Sequence, residues 1–337
     1  MPRFFDRLPT TGIATEVLRW LKRLVSIGLL AVIVIGVARR EGMGGFSERL
    51  ASLELPWLAL AAALAWVAAL ASARRWQRLL ALEGVERSAP WSLGSFLRGR
   101  FVGAFTPSTV GLDLYRLVDV GKGDRGAAGR ALLVEKLYGL VALAMVSAAL
   151  LPFGLRAHFG AAGSLLVLGL GLGSVLGVAM LERPALLVWL GRRLPRRLGA
   201  FALRAAEALR AGRPALGERV RLLGLGLVTH SATAAIFLAT GSALGVEVGP
   251  LALVIVGNAI ILATLLPISV GGVGVREGTA VAVLATQGVP AADAALLAFL
   301  GYLCAQPPAL VGGLWHLFRT RPEGLAAVVS REPDPAC

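Results

Sequence analysis

The chain has 337 residues, of which 56% are apolar or aromatic and only 16% are charged. That balance excludes an ordinary soluble domain, which has no core able to bury so much apolar side chain, and it excludes a disordered chain. The net charge of +14 would point to nucleic acid in a soluble protein, but here the basic residues cluster between apolar stretches, as membrane topology requires.

The first apolar stretch, 24–40, follows a tail carrying Arg3, Arg7, Arg19, Lys22 and Arg23. Gly36-Val37-Ala38 has the small residues of a cleavage site, but the long tail and the Arg39-Arg40 pair predict an uncleaved span. A second span is predicted at 56–73. Residues 91–120 are apolar but interrupted by Arg98, Arg100, Pro107, Gly111 and Asp113. They begin and end on one side and predict a re-entrant helical hairpin. Spans follow at 131–151 and 161–181, the latter with Gly169, Gly171, Gly173 and Gly177 for close helix packing.

A basic connector, 182–221, comes next. Its 197–213 part places Leu198, Phe201, Ala202, Ala205 and Leu209 on one side, the pattern of an interfacial amphipathic helix. A span at 222–244 leads to a second broken segment, 250–289, read as a second re-entrant hairpin or as two short spans. The last span is 292–317, and 321–337 form a tail. The fold class is therefore an all-α polytopic membrane protein with six full spans and two re-entrant hairpins, or eight spans if each hairpin is counted.

Of the 34 basic residues, 29 fall in alternate connections on one side, and the other side receives Arg39, Arg40, Arg49 and Arg156, with Arg276 in a short break. This asymmetry predicts both termini and the 182–221 connector on the cytoplasmic side of the cell inner membrane. The basic loops then need no nucleic-acid partner, and anionic lipid headgroups suit them.

Each hairpin carries the same ten-residue phrase. Pro107-Ser108-Thr109-Val110-Gly111-Leu112-Asp113-Leu114-Tyr115-Arg116 and Pro267-Ile268-Ser269-Val270-Gly271-Gly272-Val273-Gly274-Val275-Arg276 share Pro, a hydroxyl residue, Val, Gly and Arg at equal offsets, 160 residues apart. With three crossings per half, the second half must be inverted. The organisation predicted is one transmembrane domain over 1–320, with repeat one at 24–151 and repeat two at 161–317, whose broken helices meet near the midplane.

Pro107 and Pro267 break helices, and Gly111, Gly271, Gly272 and Gly274 allow close backbone approach. A helix restarting after such a break aims free N–H groups at a ligand and favours a phosphate. Arg116 and Arg276 have the fork that holds phosphate oxygens bidentately. Thr109 and Ser269 are the neighbouring hydroxyls. Asp113 and Glu277 would pair with the arginines or meet a cationic headgroup. Equally, Asp113–Arg116 and Arg276–Glu277 can be internal ion pairs that let the hairpins pack. Arg98 and Arg100 are expected to snorkel to the interface. Two cysteines and three scattered histidines provide no metal cluster, and no nucleotide-binding or nucleophile motif is present, so no cofactor and no catalytic residue is predicted.

These motifs, Phe105-Thr106-Pro107 through Gly111-Leu112-Asp113 to Arg116, and Pro267 through Gly271-Gly272-Val273-Gly274-Val275-Arg276-Glu277, resemble the lysylphosphatidylglycerol synthase transmembrane family, over roughly residues 20–320. The usual first motif has a second glycine where this chain has Leu112. The resemblance implies a flippase-like membrane region that moves an aminoacylated phospholipid between leaflets, without the soluble aminoacyl-transferase domain that makes the lipid. Other members imply a second reading, a membrane enzyme or accessory subunit acting on an isoprenoid-phosphate-linked glycolipid. Translocation of a phosphate-containing lipid is the first expectation, with Arg116 and Arg276 facing one polar cavity. A second copy of the chain or a separate lipid-modifying enzyme is the protein partner left open.

Overall fold

A computed structural model describes residues 51–104, 110–150, 155–211, 214–265 and 272–319. The predicted first span, Pro107, Thr109, Pro267, Ser269, Gly271 and the tail 321–337 lie outside the described residues. Among those described, the chain forms twelve helices and no strand. They are α1 Leu55–Leu82, α2 Ala89–Ala104, α3 Val110–Asp119, α4 Arg125–Leu150, α5 Leu155–Glu182, α6 Pro184–Gly191, α7 Arg196–Ala211, α8 Leu216–Ala243, α9 Pro250–Thr264, α10 Val275–Ala285, α11 Ala291–Cys304 and α12 Pro307–Arg319.

Four elements are long and apolar enough to cross a membrane: α1, α4, α8 and the α11–α12 pair. A fifth is α5 with α6, bent by 107°. Pro184 starts α6, and a proline at the first turn both removes an N–H and disfavours helix in the residue before it, so the chain turns at Arg183. The protein is a multi-pass helical membrane protein.

Helices α1 and α8, each 28 residues, have their most extensive contact with one another. At about 1.5 Å per residue each is some 42 Å long, more than the hydrocarbon thickness, so their ends reach beyond the acyl chains. Both end alike. Gly84 (φ 79°) and Gly245 (φ 63°) take the left-handed conformation, and the next residue's N–H returns five positions, Val85 to the Leu80 carbonyl at 2.9 Å and Val246 to the Gly241 carbonyl at 3.0 Å. A proline-containing helix pair follows each: α2–α3 after α1, α9–α10 after α8. The pairs then exchange neighbours. Helix α2 packs on α12, where the Gly312 position lies against the Leu97 carbonyl, and α9 packs on α4, where Asn258 Nδ2 donates to Ser147 Oγ at 2.8 Å.

One expected boundary is corrected, and three further readings gain detail. The second span does not stop at residue 73, because α1 continues to Leu82 and carries Arg74, Arg75 and Arg78 on the helix. The last expected span is present as Ala291–His316, with a short break before Pro307 that divides it into α11 and α12. Gly169, Gly171 and Gly173 meet no described residue, and among the described contacts Gly177 of that series packs against Val141. The apolar residues of α7 share one face, as expected, but are covered to different extents. Ala202, Ala205 and Leu209 are buried, while Leu198 and Phe201 are half exposed.

Candidate functional site

The first hairpin returns through α3, which lies against α2. Leu112, standing where a second glycine is usual, lies against Gly99 and Gly103 of α2. A side chain at Gly99 would meet the Leu112 side chain at 2.7 Å, so the bulk lost from one helix is taken up by the other. That seating turns Arg116 inward, where it is only 1% exposed.

An arginine so deep persists only if its charge is matched and its donors are used. Arg116 Nη1 donates to Glu135 Oε2 at 2.8 Å, and Nη2 donates to Asp113 Oδ1 at 2.7 Å. Its guanidinium lies 4.8 Å from the Trp76 ring centre and 5.6 Å from that of Phe96. The two carboxylates are shared further. Glu135 Oε1 accepts from Arg75 Nη2 at 3.4 Å, and Asp113 Oδ2 pairs with Lys136 Nζ at 2.7 Å. The chain of contacts Arg75–Glu135–Arg116–Asp113–Lys136 thus holds three cations and two carboxylates. It runs from buried Arg75 to Lys136, whose side chain is 42% exposed. Glu135 stands ten residues into α4, about 15 Å along the axis from the first residue of the helix.

Arg98 and Arg100 do not snorkel. Arg98 is 1% exposed, donates Nε–H to the Tyr115 hydroxyl at 2.8 Å and Nη2–H to Asp119 at 3.0 Å, and lies 5.6 Å from the Trp315 ring centre. The hairpin and α12 supply partners closer than water, so the guanidinium has no reason to reach the interface. Arg100 Nη2 donates to the Ala305 carbonyl at 2.9 Å, at the Pro307 break between α11 and α12.

In the second hairpin, Gly272 (φ 78°) and Gly274 (φ 86°) lead into α10. Gly272 is required twice over, since a Cβ there would also stand 2.9 Å from Arg276 Nη2. Glu277 Oε2 accepts the Gly274 N–H at 2.5 Å and so caps the helix. Its other oxygen is 3.8 Å from Arg276 Nη1. Arg276 lies 4.3 Å from the ring centre of Tyr302 on α11, one turn before the carbonyl that Arg100 reaches. Gly111 is buried at the start of α3.

The contacts described for Arg116 and Arg276 share no residue. Arg100, Tyr302 and the α11–α12 break lie between the two hairpins. A cavity of about 430 Å³ lies elsewhere, between the end of α8 and the α10–α11 turn, lined by residues including Glu247, Gln287 and Asp293. Reading from sequence passed over Arg75 and Trp76, because the span was ended at the first charge. The signal for Glu135 and Lys136 was present in an acid–base pair inside the otherwise uncharged predicted span 131–151.

A model of the family described as the lysylphosphatidylglycerol synthase TM region matches residues 20–312. No curated protein and no solved structure matches the chain. Membership carries a lipid-related membrane function, and the match spans both hairpins, α1 to α11 and the first part of α12. The chain belongs to the lysylphosphatidylglycerol synthase transmembrane family.

Proposed function

We propose that the protein moves a phosphate-bearing lipid between leaflets, with its headgroup passing the two hairpins while the acyl tails stay in the bilayer. The observation that carries this reading is the buried network around Arg116. Three cations share two carboxylates in its described contacts, and an oxyanion arriving past Lys136 would compete with those carboxylates for the cations. Asp113 is the group it would displace, since it already bridges Lys136 and Arg116. Arg276, over the ring of Tyr302, is the corresponding cation of the second hairpin.

The matching ends of α1 and α8, and the exchange by which each hairpin packs on the last span of the other half, support an inverted repeat. The distribution of basic residues supports cytoplasmic termini and a place in the cell inner membrane.

Reconstitution into vesicles of phosphatidylglycerol and phosphatidylcholine tests the reading by following a labelled phospholipid from inner to outer leaflet. Arg116→Gln and Arg276→Gln keep polarity but lose charge and fork. Each should still fold and elute as a single species, with a lowered thermal midpoint, yet translocate at least roughly tenfold more slowly, the worth of one charge-assisted contact. Normal translocation by both variants would remove the arginines from the site. A chemically altered lipid would make the protein a membrane enzyme instead.

A further inference from the structure

The deep end of the network is not closed. Arg75 is 6% exposed, and its Nε and Nη1 groups are buried without a hydrogen-bond acceptor. Its one bond, Nη2 to Glu135, is long at 3.4 Å. An arginine with two orphan charged donors costs more than most folds tolerate, so a built-in reason is expected. The surroundings are built. Glycines occupy both helices that face the guanidinium: a Cβ at Gly139 of α4 would lie 3.9 Å from Nη1 and Nη2, and one at Gly226 of α8 would lie 3.0 Å from Nη1. His230 of α8 bonds the Gly139 backbone and has its Nε2 buried without a partner. Ser72 and Thr229 pair across α1 and α8 at 3.3 Å beside them.

We propose that the α1–α4–α8 junction is a second oxyanion subsite, in which Arg75 donates Nε–H and Nη1–H to a phosphate or carboxylate oxygen. Glu135, with one oxygen on Arg75 and the other on Arg116, stands between this subsite and the outer one. It is the resident anion that an incoming oxyanion replaces in passing from one arginine to the next. The inference rests on the lipid-phosphate reading only for the source of the oxyanion.

The test uses the full-length Arg116→Gln protein in a phosphate-free detergent, titrated calorimetrically with inorganic phosphate and with dihexanoyl phosphatidic acid. Residual oxyanion binding is expected, and adding either Arg75→Lys or Gly139→Ala should weaken it roughly tenfold or more. Lysine keeps the charge beside Glu135 but loses the fork. The Gly139→Ala methyl sits at ordinary contact distance, so it fills the space without disturbing charge or fold. Binding of the short-chain lipid alone supports a headgroup source, and binding of both probes supports an oxyanion of either source. Absence of residual binding, or residual binding that neither substitution weakens, overturns the subsite. Normal translocation by Arg116→Gln would count against the lipid-phosphate reading and leave this measurement standing.

Discussion

Arg98 shows how burial changes the meaning of a charge. On the sequence it is one more cation near an interface. In the fold it joins α2 to α3 and α12 through Tyr115, Asp119 and Trp315. Arg98→Gln would leave the Asp119 carboxylate, itself only partly exposed, without its cation, and the Tyr115 hydroxyl without its donor. A loss of about 1–3 kcal/mol follows, read as a lower thermal midpoint in detergent. Arg221, whose side chain is 65% exposed and whose contact with Glu218 is 3.5 Å, is the contrast. Arg221→Gln should be near neutral, because an exposed pair in water gains little. Equal effects of the two substitutions would mean that the Arg98 network contributes nothing beyond surface charge. The sequence could mark Arg116, Asp113 and Arg276 as unusual, since charges beside helix breakers in apolar stretches are few. It could not mark Arg75, because what matters there is the pair of glycines on two other helices.

At the scale of helices, close packing is decided by which glycines face a backbone, and spacing alone does not reveal that. The Gly-rich stretch of α5 reads as an interface, yet Gly173 meets no described residue, while Gly312 of α12, in a less conspicuous Gly312-Gly313 pair, stands directly on α2. A Cβ at Gly312 would lie 2.1 Å from the Leu97 carbonyl oxygen, and backbone cannot step aside as a side chain can. Gly312→Ala should therefore separate α2 from α12, loosen the Arg98 network that spans them, and yield protein that aggregates or unfolds early. Gly173→Ala should be neutral or stabilising by up to about 1 kcal/mol, from helix propensity alone. Thermal unfolding followed by size-exclusion elution separates the two, and a stable monodisperse Gly312→Ala would refute the packing. The predicted ends of helices failed for a related reason. Hydropathy stops at the first arginine, whereas α1 continues past Arg74, Arg75 and Arg78 because Arg75 finds Glu135 and Arg78 finds Glu218. The Pro307 break was legible in principle, since the residue before a proline avoids helix.

For the whole molecule, the count of basic residues must be revised before it is used. Arg75, Arg98 and Arg116 belong to the 29 assigned to the cytoplasm, yet all three are buried inside the helical body and anchor no loop. Removing them leaves 26, and removing buried Arg276 from the other side leaves four. The bias survives, and it rests most heavily on the α6–α8 region, with Arg192, Arg193, Arg196 and Arg197 in one turn. There α6 bends away from α5 by 107°, and Trp189, Leu198 and Phe201 are at least half exposed beside those arginines. Apolar rings and chains next to a row of cations suit the boundary between acyl chains and anionic headgroups. If that boundary is cytoplasmic, position 204 on α7 faces the cytoplasm, and position 247, in the turn after the full-length crossing α8, faces outward. Both positions are exposed, so single cysteines can be introduced there after replacing Cys304 and Cys337. An impermeant thiol reagent applied to intact cells should label Glu247→Cys and spare Arg204→Cys until the membrane is opened. The reverse pattern would turn the protein over. Lys136, at the exposed end of the charged chain, would then take its headgroup from the outer leaflet, and the order in which a lipid meets Arg116 and Arg75 would refer to transport in the opposite direction.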